Sequence, residues 1–453
     1  MTAPATSRPP RRVAVGHVAI LLPLVAAVIA ARLPVRDNSY LWHVRAGTIQ
    51  IERGEVLTTD PFSFTAMGRP WRTQSWLADL LYGWADNLWS LETVTPLVLT
   101  GAIVLVGAIG LRVYRTVLAP LPAAIGTIWV MWLTIGYFTP RPVLFSLALL
   151  AVFLVAADDQ RLRWALPLVM WLWAAVHGGF IVGLGYLVLD GFRRRDRARF
   201  VDIGAATAVT FLTAHGWGTW QVVLKFLRSG DELDLIVEWL TPDLFSIEHF
   251  PFALAVVALV VGAVNGKIVK RDLWVVLPFL LFAFTANRSV PVAALVLAPW
   301  FVGGLARAQR PATTVSARQS AFNAGVVAAV LVAPWMVPLE GGLDQELFAV
   351  NAVNRLAPGR AFHDDAVGGY LIYQQWPDRL VYIDDRAELY EEDFTDFVNA
   401  RGAAPGWEQV FERYDLSQAL LKVSDPLGEV LAAAGWSETY RDERFVLLLE
   451  DDG

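Results

Sequence analysis

The chain reads VAVGHVAILLPLVAAVIAARLPVRDNSYLWHV from residue 13 to residue 44, and this stretch decides the predicted fold. Residues 13–33 are apolar over a length that suits a helix crossing a bilayer. The polar, aromatic and charged residues from Arg36 to His43 follow directly. Acidic and imidazole groups cost free energy when they lie against a membrane, so they are usually retained there for a function. We therefore expect the functional site beside this first crossing.

The composition is that of a multi-spanning membrane protein. Of the 453 residues, 55% are hydrophobic and only 18% are charged, and the mean hydropathy is +0.45. A soluble protein of this size needs far more polar surface. Cysteine is absent, which excludes disulfides, thiolate chemistry and metal sites built on cysteine.

Apolar segments along the chain predict about eleven transmembrane helices. The candidates are 13–33, 93–112, 119–138, 143–157, 163–177, 179–192, 200–214, 251–266, 272–286, 290–306 and 320–338. The N-terminal run resembles a signal peptide, but no clear cleavage site follows it, so we predict a retained first helix. Lysine and arginine cluster in alternate connections, which predicts a multi-pass protein of the plasma (inner) membrane with a cytoplasmic N-terminus.

The same rule places a long first loop, about 34–92, and everything after about 339 on the outer face. Within that loop, 76–89 fits an amphipathic helix lying in the interface, and so does 217–240 in a second outer loop. The transmembrane domain is therefore predicted to cover 1–338.

The remaining segment, 339–453, differs in composition because charges are frequent and apolar runs are short. Strand-like runs at 380–383, 419–423 and 445–449 alternate with helical patterns, which predicts a small α/β layer structure. The predicted fold class is thus a polytopic α-helical membrane protein with a small C-terminal extracytoplasmic α/β domain.

Asp37 is the candidate catalytic residue, and it has two interpretations. A lone acid in a loop is most often solvated, or paired with a neighbour such as Arg36 or Arg45. Alternatively, a carboxylate held beside a bilayer serves as a general base that accepts a proton from a sugar hydroxyl.

Further candidates in the first loop are substrate-binding residues, each with a structural alternative. His43 is either a satisfied interfacial residue, a hydrogen-bond partner for a sugar, or a partner of Asp37. Asp60 precedes a proline and suits the start of a turn, or it contacts substrate. The indole of Trp71 can anchor the interface or stack on a pyranose ring, and Arg72 and Gln74 can fix sugar hydroxyls.

Outer connections between apolar helices supply the last candidates. Arg141 and Arg288 either extend along the helices to the surface or bind a lipid-linked phosphate, whose geometry suits guanidinium. His177 lies in a Gly-Gly break, which would direct it into a cavity and makes it a further substrate-binding candidate.

The motifs of soluble nucleotide-binding enzymes, metalloproteases and serine hydrolases are missing, and nothing indicates nucleic acid. No His cluster has metal-ligand spacing. The first loop lacks an adjacent Asp-X-Asp pair, so no metal ligand is predicted, and a divalent cation is compatible with the sequence without being indicated. No other cofactor is predicted.

A basic N-terminus, one spanning helix and an acidic residue early in a large outer loop resemble the GT-C class of integral-membrane glycosyltransferases. More narrowly, the chain resembles a group of bacterial GT-C-like membrane proteins. The shared residues are Asp37, Trp42-His43, Gly47, Asp60-Pro61-Phe62-Ser63, Trp71, Trp76-Leu77, Arg141-Pro142, His177-Gly178-Gly179-Phe180, Arg288, Gly368-Gly369-Tyr370-Leu371 and Ile383-Asp384-Asp385-Arg386.

The resemblance implies a polyprenyl-phosphate-linked sugar as donor, transfer on the outer face with inversion, and Asp37 as the base that activates a glycan, lipid or protein acceptor. Related sequences often carry a second acid where this chain has Ser39, which leaves Asp37 without a paired carboxylate in the local motif. A non-catalytic lipid-sugar carrier or assembly scaffold of the same fold is therefore the alternative. A secondary transporter is disfavoured, because we see no related halves and nearly all acids lie in loops.

Overall fold

The computed structural model describes residues 22–31, 33–89, 94–228, 240–305, 316–336, 342–390 and 392–451. The basic N-terminus, residues 13–21 of the first predicted helix and residues 229–239 of the second outer loop lie outside the described residues. In the described ranges the chain is helical up to residue 336, and a small sheet with further helices follows.

Helices run through each of the eleven apolar segments. The helices up to residue 336 are α1 (Leu22–Ala31), α2 (Ser39–Arg53), α3 (Trp76–Trp89), α4 (Val94–Val117), α5 (Pro120–Thr134), α6 (Pro142–Asp158), α7 (Leu166–Val176), α8 (Phe180–Arg194), α9 (Ala198–Thr210), α10 (Trp217–Arg228), α11 (Phe250–Val264), α12 (Leu273–Ala283), α13 (Ser289–Leu305) and α14 (Ala317–Met336). Helices α3 and α10 fall where interfacial helices were predicted, whereas α2 was not predicted.

Two described helical segments, Pro96–Val117 and Pro120–Tyr137, are long and apolar enough to cross a membrane. Shorter apolar helices occur at Pro142–Asp158, Phe250–Val264 and Ser289–Gly304. The count of eleven crossings stays a prediction.

Three of the basic connections predicted to share one side of the membrane meet at one end of the helix bundle. They contain Arg112, Arg163 and the arginines of 193–199. Asp190, fully buried in α8, contacts Arg193, Arg194 and Arg199 at 2.6–3.1 Å. Arg112 is also buried there, and it donates to the carbonyls of Leu295 and Val296 at 2.7 and 3.0 Å. Since Pro299 has no N–H to pair with the carbonyl four residues earlier, Arg112 satisfies an acceptor that the proline leaves open.

At the opposite end, α2 and α3 cross in backbone contact. A Cβ added to Gly47 would lie 1.8 Å from the carbonyl oxygen of Asp79, and one on Gly83 would lie 2.4 Å from the Gly47 carbonyl carbon. Only glycine allows this approach. The crossing fixes the relative position of two helices of the first loop that carry His43 and Asp79.

The C-terminal segment contains a mixed four-stranded sheet in the order β1-β2-β4-β3. Its strands are β1 (Arg360–His363), β2 (Leu416–Lys422), β3 (Ser437–Arg441) and β4 (Phe445–Leu449), and its helices are α15 (Val350–Val353), α16 (Asp365–Gln375), α17 (Ala387–Tyr390), α18 (Glu392–Arg401), α19 (Trp407–Tyr414) and α20 (Pro426–Ala433). Strand β1 pairs with β2 in parallel and the other pairings are antiparallel. The strands predicted at 419–423 and 445–449 correspond to β2 and β4.

The strand predicted at 380–383 lies outside this sheet, which corrects the sequence-based assignment. Val381 instead pairs with the first loop: its N–H donates to the Phe62 carbonyl and its carbonyl accepts from the Phe64 N–H, both at 3.0 Å. The run is apolar because it is buried between the first loop and the C-terminal segment.

One hydrophobic cluster joins these two parts of the chain. Tyr40, Phe62 and Tyr82 of the first loop belong to the same buried cluster as Phe362 and Leu447 of the C-terminal segment. Backbone contact is close as well, because a Cβ on Gly369 would lie 2.3 Å from the Asn38 carbonyl oxygen. The C-terminal segment therefore packs directly on the loop that contains Asp37, and the domain limits 1–338 and 339–453 stay a prediction.

We expect Gly47→Ala to destabilise the protein by roughly 1–3 kcal/mol or more, because the added methyl overlaps backbone atoms that have no free space. Gly107→Ala is the matched control: Gly107 also lies inside a helix, but an added Cβ meets nothing within 4 Å. Thermal unfolding of both variants in detergent measures the difference. Equal melting temperatures would contradict the close crossing of α2 and α3.

His363 at the end of β1 makes the stability of the sheet depend on pH. Its buried ring accepts the Tyr382 N–H at Nε2 (3.0 Å), and Nδ1 lies 3.1 Å from the Asp364 carbonyl, an arrangement that suits the neutral ring. Burial is the main cause that lowers the pKa of His363 to about 4. The histidine in the folded state thus takes up its proton at a lower pH than in the unfolded state.

The contribution of His363 is therefore complete above about pH 6.5, the ordinary histidine pKa, and is lost as the pH falls toward 4. The loss amounts to roughly 3 kcal/mol at most. We expect His363→Gln to be less stable at neutral pH and to depend less on pH between 6.5 and 4. Urea unfolding at several pH values, followed by tryptophan fluorescence, gives the free energy of unfolding of both proteins as a function of pH. If the two free energies change with pH in parallel, the interpretation is wrong.

Candidate functional site

Asp37 lies in the short connection between α1 and α2, and its carboxylate is buried. One oxygen accepts the backbone N–H of Ser39 at 3.1 Å, which is the first residue of α2. A carboxylate in this position satisfies an N–H that the helix leaves unpaired, and it interacts favourably with the positive end of the helix dipole. The start of α2 therefore holds the side chain in one orientation.

Arg141 contacts the second oxygen of Asp37, with Nε and Oδ2 2.6 Å apart. The position of Arg141 follows from its sequence context. Pro142 begins α6 and requires an extended backbone at the preceding residue, and Arg141 has φ −92° and ψ 150°. The sequence Arg141-Pro142 thus places a guanidinium at the entrance of a helix, facing the start of α2.

Asp385 brings a second carboxylate to the same guanidinium from the C-terminal segment. Its Oδ2 lies 3.9 Å from a terminal nitrogen of Arg141. The Ser39 hydroxyl donates to Asp385, and the Trp42 indole N–H donates to its Oδ1 at 2.7 Å. Ser39 stands where related sequences often carry a second acid, and its hydroxyl binds the carboxylate of Asp385.

The electrostatic surroundings of Asp385 disfavour its ionised form on balance. Burial is the largest cause that raises its pKa; Arg141 opposes this effect, while Asp384 and Asp37 add to it. Two carboxylates facing one guanidinium leave a local excess of negative charge. This cluster of Asp37, Arg141 and Asp385 is called the acid–arginine cluster below.

His43 lies one turn into α2 and pairs with Asp79 of α3 rather than with Asp37. Its Nδ1 is 2.5 Å from the Asp79 carboxylate, whose other oxygen accepts the Thr73 hydroxyl at 2.7 Å. The Trp42 ring packs on the imidazole with 3.6 Å between centroids. The ring orientation of His43 is therefore fixed from two sides.

Tyr82 of α3 fills the space between these groups. Its side chain is fully buried, and among the described residues its hydroxyl has no hydrogen-bond partner. Burial raises the pKa of Tyr82 well above its ordinary value, and the nearby charges of Asp79 and Asp37 act in the same direction. The hydroxyl is thus a neutral donor beside Asp37.

The remaining outer-face candidates lie around the break between α7 and α8. His177 is within electrostatic reach of both Arg288 and His43, and its Nδ1 accepts the Gly179 N–H at 3.0 Å. The Gln74 side chain packs so closely on Gly178 that a Cβ there would lie 2.1 Å from its oxygen. These residues connect the first loop to the helix bundle.

Arg72 lies at the exposed edge of this region. Its guanidinium donates to the Gln221 side chain of α10 at 2.5 Å. Neighbouring Thr73 binds the same region through its carbonyl, which lies 2.9 Å from Nε2 of His215.

Asp60 and Trp71 belong to a separate, internal arrangement around Arg386. The guanidinium of Arg386 donates to both oxygens of Asp384 at 2.8 and 2.6 Å and to Asp60 at 2.8 Å. It packs over the Trp71 ring at 4.4 Å and the Phe62 ring at 5.1 Å. This set of five residues is called the Arg386 cage.

Asp60 also fulfils the structural alternative given above, since its carboxylate accepts the N–H groups of Phe62 and Ser63 at 3.2 and 3.0 Å. Burial acts to raise the pKa of Asp384, but the Arg386 charge and hydrogen bonds outweigh it and hold the pKa below its ordinary value. Asp384 is thus ionised at neutral pH, opposite the charge of Arg386.

The structure brings Asp37 and Arg141 together. His177 interacts electrostatically with His43 and Arg288. Asp60 and Trp71 lie in the Arg386 cage. Asp79, Tyr82 and Asp385 were not among the candidates. Asp385 belongs to the quoted run Ile383-Asp384-Asp385-Arg386, so its sequence did carry a signal. Asp79 and Tyr82 lie in a helix that reads as an ordinary amphipathic one.

The acid–arginine cluster is a poor cation site, because the Arg141 guanidinium already faces both carboxylates. Among the described residues there is also no group of three or more His, Asp or Glu side chains arranged to hold a metal.

The fold is that of the GT-C-type membrane glycosyltransferases, which confirms the expected GT-C-like architecture. The Archaeoglobus fulgidus oligosaccharyltransferase in its apo form aligns with a TM-score of 0.52 at 14% identity, covering 89% of this chain and 69% of that one. ArnT from Cupriavidus metallidurans bound to undecaprenyl phosphate aligns with a TM-score of 0.52 at 12% identity, covering 96% and 97%.

The apo state of the same ArnT gives a TM-score of 0.50 at 13% identity, covering 95% of this chain and 96% of that one. No protein-family model and no curated protein matches the sequence. At these identities the similarity establishes the fold alone.

We expect Arg386→Met to destabilise the protein by about 3–5 kcal/mol, since it leaves Asp60 and Asp384 buried without their cation. Arg413→Met is the control, because it removes an exposed arginine that pairs with Asp396 at 2.6 Å, and exposed pairs contribute little to stability. Thermal unfolding and limited proteolysis of the C-terminal segment measure both. Similar losses in the two variants would show that the cage does not hold the segment in place.

Proposed function

We propose that this protein is a glycosyltransferase that moves a sugar from a polyprenyl-phosphate donor to an acceptor on the outer face of the plasma membrane. The observation that carries the proposal is the ion pair between the buried Asp37 and the half-buried Arg141, whose Oδ2 and Nε lie 2.6 Å apart. It combines a proton acceptor and a phosphate ligand at the end of the first helix. The GT-C-like fold supports the same class of reaction, and the ArnT relative of this fold was solved with undecaprenyl phosphate.

Asp37 acts as the general base in this proposal. An acceptor hydroxyl or amide attacks the anomeric carbon of the sugar, and its proton passes to the carboxylate as the new bond forms. The bond between that carbon and the phosphate oxygen breaks in the same step, so the configuration inverts. The buried setting of Asp37 and its hydrogen bond to the first N–H of α2 keep it aimed at one position.

Arg141 and Arg288 stabilise the departing lipid phosphate. Guanidinium groups match phosphate oxygens in geometry and charge. A preorganised cation at a leaving group typically contributes several kcal/mol to lowering a barrier. Both residues immediately precede apolar helices, where a polyprenyl chain can lie in the bilayer beside them.

The sugar-binding residues in the proposal are His43, Asp60, Trp71, Arg72, Gln74 and His177. Arg72 is exposed, so it is best placed to meet a substrate directly, whereas His43 is buried against Trp42 and Asp79 and acts from behind that contact surface. Asp60 and Trp71 act through the shape of the first loop, because the Arg386 cage occupies their polar and aromatic surfaces. The acceptor is a glycan, lipid or protein presented on the outer face, where the segment 339–453 also lies.

One observation favours the alternative of a non-catalytic carrier or scaffold. The carboxylate of Asp37 already faces the Arg141 guanidinium, so one of its oxygens is occupied in the absence of substrate. Such a protein would bind the lipid phosphate through Arg141 and perform no transfer.

We expect Asp37→Asn to lower transfer about 10²–10⁴-fold, because the amide keeps the shape of the side chain and loses its basicity. The assay uses purified protein, a set of undecaprenyl-phosphate-linked sugars and envelope extract as acceptor, and it measures release of undecaprenyl phosphate. Glu55→Gln, which neutralises an exposed acid in the same loop, is the control.

A folded Asp37→Asn variant that transfers sugar at the unmodified rate removes Asp37 from the mechanism. Lipid binding by the native protein with no transfer from any donor in the set supports the carrier instead.

A further inference from the structure

Asp385 reaches the acid–arginine cluster from a part of the chain almost 350 residues beyond Asp37. The Ser39 hydroxyl and the Trp42 indole hold its two oxygens, and both donors belong to the first turns of α2. Neither contact requires Arg141. Asp385 is therefore held in place independently of the guanidinium, and Arg141 is the member of the cluster that can change partners.

Arg141 is shared unequally between the two acids. Its Nε lies 2.6 Å from Asp37, and a terminal nitrogen lies 3.9 Å from Asp385. Carboxylate and phosphate oxygens use the same guanidinium donors. A phosphate that binds Arg141 must therefore compete with both carboxylates.

We propose that Asp385 is a positioning residue that holds Arg141 against Asp37, and that a lipid-linked phosphate binds by drawing Arg141 away from the two acids. This inference rests on the proposed function. It extends that function by coupling two events: arrival of the donor phosphate at Arg141 releases Asp37 from its ion pair, so the base becomes available when the donor is present. The C-terminal segment sets the affinity for the donor through Asp385.

The coupling predicts that a substitution of Asp385 increases the affinity for lipid phosphate instead of decreasing it. Asp385→Asn keeps the size of the side chain and removes the charge that competes with phosphate. It should therefore bind undecaprenyl phosphate about fivefold more tightly than the native protein, the size of one partly buried ion pair. A merely structural role for Asp385 predicts equal or weaker binding.

The probe is undecaprenyl phosphate itself, titrated into detergent-purified protein and measured by native mass spectrometry. Arg141→Gln should weaken binding, and adding Asp385→Asn to it should have no further effect, because the competing group and the phosphate act on the same guanidinium. Glu408→Gln is the charge-matched control on an exposed helix position.

The pH dependence gives a second readout. The charged and titratable groups around Asp385 are Arg141, Asp37, Asp384 and Asp365. As the pH falls, Asp385 takes up its proton before an ordinary aspartate does, and its competition ends. Affinities of the native protein and of Asp385→Asn should therefore converge toward acidic pH. Asp385→Glu, which retains the charge, should behave like the native protein.

Equal or weaker binding by folded Asp385→Asn, or by Asp385→Ser if the first variant does not fold, overturns the inference. So does a native protein that does not bind the lipid phosphate. Tighter binding by Asp385→Asn in a protein that transfers no sugar supports the inference while the proposed function fails. If the native protein transfers sugar and Asp385→Asn has an unchanged lipid affinity, the proposed function stands and the inference fails.

Discussion

The buried guanidinium of Arg386 is the interaction on which the arrangement of this protein depends. It is 2% exposed and bonds carboxylates from two distant parts of the chain, Asp60 of the first loop and Asp384 of the C-terminal segment. Two charges taken out of water are costly, and only good geometry and complete hydrogen bonding compensate for the cost. The cage supplies both, since Tyr390 also donates to Asp384 at 2.7 Å and aromatic rings cover the guanidinium.

Such a cluster contributes more to specificity than to stability, because apolar residues of similar volume could often replace it at no loss. Its geometry admits one register between the first loop and the C-terminal segment. The backbone pairing of Val381 with Phe62 and Phe64 is consistent with that register. Since Asp385 directly precedes Arg386, fixing the cage also fixes which acid reaches Ser39, Trp42 and Arg141. The polar core thus determines the composition of the candidate site one residue away.

The sequence alone predicted the helical membrane fold well, because about 20 apolar residues in succession have few other uses. It missed α2, since nearly every residue from Ser39 to Gln50 is buried and the helix has no polar face to reveal its period. It misassigned 380–383 because an apolar run indicates burial without naming a partner. Asp37 and Arg141 were found from their local context, next to a helix end and before a proline. Asp385 belongs to the quoted run Ile383-Asp384-Asp385-Arg386, but nothing in that run indicates that its hydrogen-bond partners lie almost 350 residues away.

Under the proposed function, Arg141 has two roles that conflict in a simple ion pair. A guanidinium close to the base occupies the carboxylate, whereas a guanidinium far from the base cannot bind a phosphate next to the reacting sugar. The second carboxylate, Asp385, resolves the conflict, because it balances part of the positive charge and gives Arg141 a second ion-pair partner. The local sequence supports this solution: Pro142 fixes the backbone of Arg141, while its long side chain reaches both Asp37 and Asp385. A lysine at this position would offer one point charge in place of separate donors for separate partners.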